Sequence, residues 1–247
     1  MPKVQNKQRD SILPNTIARK LLKFCYFIAL GLFLTGCGET KTEKKARDTP
    51  TDPPTEVTTT DTTKTILCFG DSITAGYGLD DSNEAYPALL QQKIDSLGLE
   101  YTVINAGISG ETTAGGKGRM DWTLQQDIAI FILELGGNDG LRGVPLTETR
   151  ANLQAIIDAV HTKSPETTII LAGMELPPNM GQAYTGEFRR MYAELAKEND
   201  LAFIPFILKD VGGVKALNQN DGIHPNAEGH EIVANTVWET LKPLISK

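Results

Sequence analysis

Ser72, Asp221 and His224 are the side chains in this 247-residue chain whose types and spacing suit nucleophilic acyl transfer. A serine hydroxyl is a weak nucleophile until a base takes its proton, and an imidazole base needs an acceptor on its other nitrogen. Asp221 and His224 are three residues apart, so one turn can set the carboxylate against the imidazole Nδ1–H. Pro225 follows His224 and biases its backbone towards extended conformations, as a loop ahead of a helix requires. Asp221 alone would serve equally well to order such a turn. Acyl transfer also develops an oxyanion that preorganised N–H donors must stabilise. Three donors are candidates: the backbone N–H of Ser72, the backbone N–H of Gly110 and the side-chain amide of Asn138. Taken singly, Gly110 and Asn138 are also ordinary loop formers.

These residues need a frame that brings them together. TILCFG (65–70), YTVINA (101–106), IAIFILEL (128–135), TTIILAG (167–173) and LAFIPF (201–206) are short apolar runs rich in β-branched residues. Helical spacing lies between them: Tyr86, Leu89, Leu90, Ile94 and Leu97 share one face, as do Leu153, Ile156, Ile157 and Val160. A last helix over about 227–241 repeats the pattern with Ile232, Val233, Thr236 and Val237. Near-continuous apolar strands alternating with helices imply an α/β, three-layer αβα domain with a five-stranded, mainly parallel sheet. In such sheets functional groups gather beyond the carboxyl ends of the strands. Gly70-Asp71-Ser72 follows the first strand, Asn105 to Gly110 the second, Gly136-Gly137-Asn138-Asp139 the third, and Asp221 to Pro225 precedes the last helix. All four placements reach the same rim.

Other chemistries fit less well. The glycines around Gly115-Gly116-Lys117-Gly118 lack the spacing of a phosphate-binding loop and no Ser or Thr follows Lys117. The Ser72 context is not G-x-S-x-G. His161, His224 and His230 have no metal-ligand spacing, so no metal and no cofactor is implied, and His230 is expected to be a surface or partly buried structural residue.

Ser72, Gly110, Asn138 and His224, in that order, resemble the conserved set of the SGNH (GDSL-type) hydrolases over about residues 65–245. Ser72 in GDSITAGYG matches the family's nucleophile block, Gly110 in NAGISGET its second block, Asn138 in GGND its third, and Asp221 and His224 its D-x-x-H-P block. Many members have GDSLS where this chain has Ile73-Thr74. ELGGNDGLRG (134–143) is similar to the thioesterase, lysophospholipase and arylesterase branch. The resemblance implies a flavodoxin-like SGNH fold and a serine esterase. Ser72, Asp221 and His224 would be its catalytic residues, and Ser72, Gly110 and Asn138 its oxyanion hole. Acyl esters, aryl esters or lysophospholipids are then the expected substrates. A carbohydrate O-acetylesterase is the alternative within enzymes, and a non-catalytic binding lipoprotein the alternative outside them. The loops 141–146 and 174–181 mix apolar residues with Pro and Gly and are expected to border the acyl side of Ser72.

The N-terminal quarter has a different character. Residues 1–36 carry six basic residues against Asp10 alone, then the eleven-residue apolar run FCYFIALGLFL from Phe24 to Leu34. That run is shorter than the roughly 20 residues of a membrane-spanning helix and fits a secretory signal. Leu34-Thr35-Gly36-Cys37 resembles the lipobox of bacterial lipoproteins, which implies a lipid-modified Cys37 as membrane anchor and a location in the cell envelope. Residues 37–64 would then be the lipidated cysteine and a disordered tether rich in Thr, Pro and charged residues, with the hydrolase domain at 65–247. Loss of residues 1–36 removes +5 from a formal charge of −7 and leaves −12, which offers no electrostatic footprint for nucleic acid. Cys68 would remain as a lone thiol, expected to be a small core residue.

Overall fold

The computed structural model describes residues 63–246. The signal segment 1–36 and almost all of the 37–64 tether lie outside the described residues, although Lys64, placed in the tether by sequence, already belongs to the first strand. In chain order the elements are β1 (Lys64–Gly70), α1 (Ser72–Ala75), α2 (Tyr86–Ser96), β2 (Tyr101–Gly107), α3 (Thr113–Gly118), α4 (Met120–Thr123), β3 (Ile130–Glu134), α5 (Gly137–Leu141), α6 (Leu146–Lys163), β4 (Thr168–Ala172), α7 (Gln182–Glu198), β5 (Ala202–Ile204) and α8 (Ala227–Ile245).

The five strands form one sheet in the order β2-β1-β3-β4-β5, every pair parallel. β3 is buried along its whole length and β1 from Ile66 onward, as a sheet covered on both faces requires. On one face α2 packs against α8; on the other α6 packs against both α3 and α7. The fold is thus a three-layer α/β sandwich. Cys68 lies in its core, fully buried, and burial pushes its thiol up to about 12.

The chain runs from β1 outward to β2 and then crosses back to β3 on the other side of β1. The crevice beyond the carboxyl ends of β1 and β3 is therefore the topological switch point, where such sheets bind ligands. Gly70 of β1 pairs in register with Glu134 of β3 and with Gly107 of β2, so three site-bearing loops leave the sheet at one level.

Three features differ from expectation. The helix α7 between β4 and β5 is not among those named from sequence, though Phe188, Met191, Tyr192 and Leu195 recur at helical spacing and are buried. β5 stops at Ile204 instead of continuing to Phe206, because Pro205 has no N–H to extend the ladder. Leu97, assigned to the apolar face of α2, lies beyond the helix end and is 51% exposed; Gly98, at φ +63°, turns the chain away there.

Candidate active site

Ser72 opens the one-turn helix α1 directly after β1, where it is buried but reachable. Asp71 caps that turn by accepting the Ile73 N–H on Oδ1 at 3.0 Å, and Gly76, in the left-handed region at φ +74°, ends it. The side chain is thereby presented at the sheet's rim, with its own N–H among the unpaired groups of a helix start.

His224 arrives from a loop 152 residues downstream. Its Nε2 lies 2.9 Å from Ser72 Oγ, and its Nδ1 lies 2.6 Å from Asp221 Oδ2. Asp221 Oδ1 meanwhile accepts the N–H groups of Ile223 (2.9 Å) and His224 (3.1 Å). The His224 ring and these N–H donors hold the Asp221 carboxyl down at about 2, so it is ionised wherever His224 is a useful base. The loop is tied back to the fold. The Gln219 N–H donates to the His224 carbonyl at 2.8 Å, and the Gln219 side-chain amide donates to the carbonyls of Tyr77 and Pro225. The Tyr77 ring lies against the imidazole, centroids 4.8 Å apart and tilted by 50°.

The candidate oxyanion donors are not equally free. Gly110, in the left-handed region at φ +79°, has a backbone N–H without a partner among the described residues, as has Ser72. Asn138 is different. Its Nδ2 donates to Asp71 Oδ2 at 2.9 Å and to the Glu111 carbonyl at 3.0 Å, which engages both amide hydrogens in the resting protein. The expected amide donor is thus held in place and must share a hydrogen with an arriving oxyanion. Arg142 fixes the amide's sense, since its Nη2 faces Asn138 Oδ1 at 3.4 Å and donates to the Gly110 carbonyl at 3.0 Å. Asp139, the neighbour of Asn138, is buried and accepts the Thr113 N–H and hydroxyl, locking the second loop to the third.

A cavity of about 510 Å³ opens beside Ser72, Asn138 and His224. Leu141, Met174 and Leu176 line it together with Pro177 and Pro178, so the loop after β4 borders the nucleophile as expected. Of the loop 141–146, Leu141 alone reaches the cavity. Phe206, Leu208 and Ile223 also line it, although none of the three is assigned to the acyl site from sequence. Ile223 sits between two residues of the D-x-x-H motif, so motif position offered a signal; Phe206 and Leu208 sit in a loop made adjacent only by the β5 crossover. Asp71 and Tyr77 are assigned no role from sequence, although each lies inside a quoted motif, and Arg142 is expected only to border the acyl side.

Among the described residues no cluster of three or more His, Cys, Asp and Glu could hold a metal ion, and no helix is long and apolar enough to cross a membrane. His230 is more buried than expected, 1% exposed, and its Nδ1 accepts the Tyr86 N–H at the start of α2.

Residues 68–232 match the GDSL-like Lipase/Acylhydrolase family. The chain is 42% identical over 183 residues to Esterase TesA of Pseudomonas aeruginosa, covering 74% of this chain and 90% of that protein. It is 38% identical to the Thioesterase 1/protease 1/lysophospholipase L1 of Escherichia coli (strain K12), covering 74% and 85%. Among solved structures, the psychrotrophic esterase EstA from Pseudoalteromonas sp. superposes with a TM-score of 0.69 at 32% identity, covering 74% of this chain and all of that one.

Proposed function

The chain belongs to the GDSL-like lipase/acylhydrolase family and is a serine-type carboxylic ester hydrolase, and from that premise we propose that Ser72 is its nucleophile, His224 its general base and acid, and Asp221 the residue that orients His224. The observation that carries this assignment is the chain of contacts from Ser72 Oγ to His224 Nε2 and from His224 Nδ1 to Asp221 Oδ2, at 2.9 Å and 2.6 Å. Ser72 Oγ attacks the ester carbonyl carbon while Nε2 takes the hydroxyl proton. The carbonyl oxygen becomes an oxyanion held by the N–H groups of Ser72 and Gly110 and by the Asn138 amide. Collapse of the tetrahedral species breaks the bond to the alcohol, which takes the proton from Nε2 as it leaves. Water, deprotonated by the same nitrogen, then attacks the acyl-enzyme and restores Ser72. The apolar cavity accepts acyl or aryl groups, which favours acyl esters, aryl esters and lysophospholipids over acetylated carbohydrate.

A fluorophosphonate ester tests the assignment. It should add one organophosphoryl group to Ser72, mapped by peptide mass spectrometry, and should label neither Ser72→Ala nor His224→Ala at a comparable rate. Full activity after quantitative labelling at any other residue overturns the assignment.

The same chain is proposed to be anchored by lipid on Cys37 and to face the periplasm or exterior. Support comes from the basic leader, the short apolar run and the Leu-Thr-Gly-Cys sequence at 34–37. Mass spectrometry of the N-terminal peptide from native membranes should find a diacylglyceryl-modified Cys37 as first residue; an unmodified Cys37 refutes the anchor.

A further inference from the structure

Behind the nucleophile turn lie two buried carboxyl groups that the acyl-transfer steps do not use. Glu134 ends β3 and is 1% exposed; Asp71 follows β1 and is 3% exposed. Glu134 Oε2 accepts the Asp71 N–H at 3.1 Å and the Thr74 hydroxyl at 2.8 Å. Glu134 Oε1 is buried with no partner donating to it. Gly70 leaves the space this requires, since a Cβ there would stand 2.4 Å from Glu134 Oε2.

Asp71 is occupied on both oxygens, Oδ1 by the Ile73 N–H and Oδ2 by the Asn138 amide. The two carboxyl side chains are also within hydrogen-bonding reach of each other, and neither forms an ion pair among the described residues. Besides each other, the ionisable groups that act on them are Tyr86, Tyr192 and His224, with Cys68 and Asp139 acting on those tyrosines; none is a lysine or arginine. Two like charges this close and this dry cannot both persist, so one carboxyl keeps its proton.

We propose that Glu134 is that acid: its O–H, on Oε1, donates to the Asp71 carboxylate, and Glu134 thereby acts as a positioning residue for the oxyanion hole. The bonding pattern selects Glu134 over Asp71. Oε2 has the two donors that a carbonyl oxygen accepts, and Oε1 lacks a donor because it carries the hydrogen. Asp71, by contrast, receives a helix-start N–H and an amide, both of which favour the charged form. Burial raises both carboxyls in the same order, Glu134 well above the usual range and Asp71 to about 6. Held this way, Asp71 fixes the Asn138 amide and the first turn that carries Ser72. The proposal rests on Asn138 serving the oxyanion.

The test compares Glu134→Leu and Glu134→Gln in the full-length protein. An amide reproduces a neutral acid: its oxygen accepts from Asp71 N–H and Thr74, and its NH₂ donates where Oε1–H did. Glu134→Leu should lower kcat about tenfold to a hundredfold with little change in KM, less than outright loss of an oxyanion donor. Glu134→Gln should restore most of that loss. Infrared spectra of the wild type near neutral pH should contain a protonated-carboxyl C=O band that is absent from Glu134→Gln. Lack of that band, or a Gln variant as slow as the Leu variant, overturns the proposal. Asn138→Ala separates the two readings: if it turns over normally while the band is present, the oxyanion role of Asn138 fails and the protonated Glu134 remains without its positioning role.

Discussion

Arg142 Nη2 donates to the carbonyl of Gly110 at 3.0 Å, so a side chain from the end of α5 braces the turn that follows β2. The same nitrogen faces Asn138 Oδ1, four residues back on α5, and turns the Asn138 amide nitrogen away from itself. One guanidinium thus acts on two of the three candidate oxyanion donors.

Removal of this brace should be felt in turnover. An exposed, charge-assisted contact of this kind contributes about 1 kcal/mol, so Arg142→Ala should lower kcat roughly fivefold with KM for a small ester little changed. Added guanidinium should recover part of the loss. A kcat within experimental error of wild type removes Arg142 from the oxyanion machinery.

The triad assignment predicts a specific pattern of non-additivity. Ser72→Ala and His224→Ala should each abolish turnover without unfolding the domain, and the double variant should be hardly slower than either, because the residues act as a unit. Asn138→Ala should retain measurable activity, down on the order of 10²–10³-fold. It also strips Asp71 Oδ2 of its donor, so thermal unfolding should be measured alongside the kinetics. Near-normal rates in Ser72→Ala would falsify the assignment.

The parts of the molecule legible in the sequence are those governed by local pattern. Apolar runs of β-branched residues located all five strands, and their alternation with helices implied a parallel sheet before any coordinates. Motif residues falling after β1, β2 and β3 placed the site at one rim, and Ser72, Asp221 and His224 do meet there. What escaped depends on through-space partners. Asn138 could be recognised as an amide donor, but not that Asp71 and Glu111 already hold its two hydrogens. Glu134 counts in sequence as a polar residue near the end of an apolar strand, and its partners come from the β1–α1 junction and from α1. His230 is expected from sequence at the surface or partly buried, and its full burial comes from α2, whose Tyr86 N–H it accepts. The Phe206 wall of the cavity is likewise a product of the crossover into β5.

That wall carries a prediction about chain length. Phe206, Leu208 and Ile223 line the cavity together with Leu141, Met174 and Leu176. A medium-length acyl chain should bury against Phe206, whereas an acetyl group should not reach it. Phe206→Ala should then reduce kcat/KM for a hexanoyl or octanoyl ester by about 1–2 kcal/mol, roughly 5- to 30-fold, and leave the acetyl ester within twofold. Equal losses on both esters place the acyl group elsewhere. A wild-type kcat/KM for acetylated xylan above that for medium-chain and aryl esters reverses the substrate preference altogether.

The last prediction concerns acid stability and follows from His230. α2 starts after Ala85, which offers no side-chain cap, and the Tyr86 N–H is satisfied by His230 Nδ1 at 3.3 Å. An imidazole that accepts on Nδ1 is neutral there, and burial, with the nearby charge of His224, lowers its pKa from 6.5 to about 4. Between those values the unfolded chain binds the proton and the folded chain does not. Stability from this residue is therefore complete above pH 6.5 and lost as pH falls towards 4, by up to roughly 3 kcal/mol. The neighbouring acids act in other directions or windows. Asp71, raised to about 6, favours the folded state more as pH falls over much of the same interval, whereas Asp221, lowered to about 2, loses its contribution only below about pH 4. A difference measurement isolates the histidine. Urea unfolding of wild type and His230→Gln at pH 7.5, 6, 5 and 4 should show the variant less stable at pH 7.5, where the Tyr86 N–H loses its best acceptor, with the gap closing as pH falls. Parallel curves between pH 6.5 and 4 would mean that His230 titrates alike in both states and does not set the acid limit of the fold.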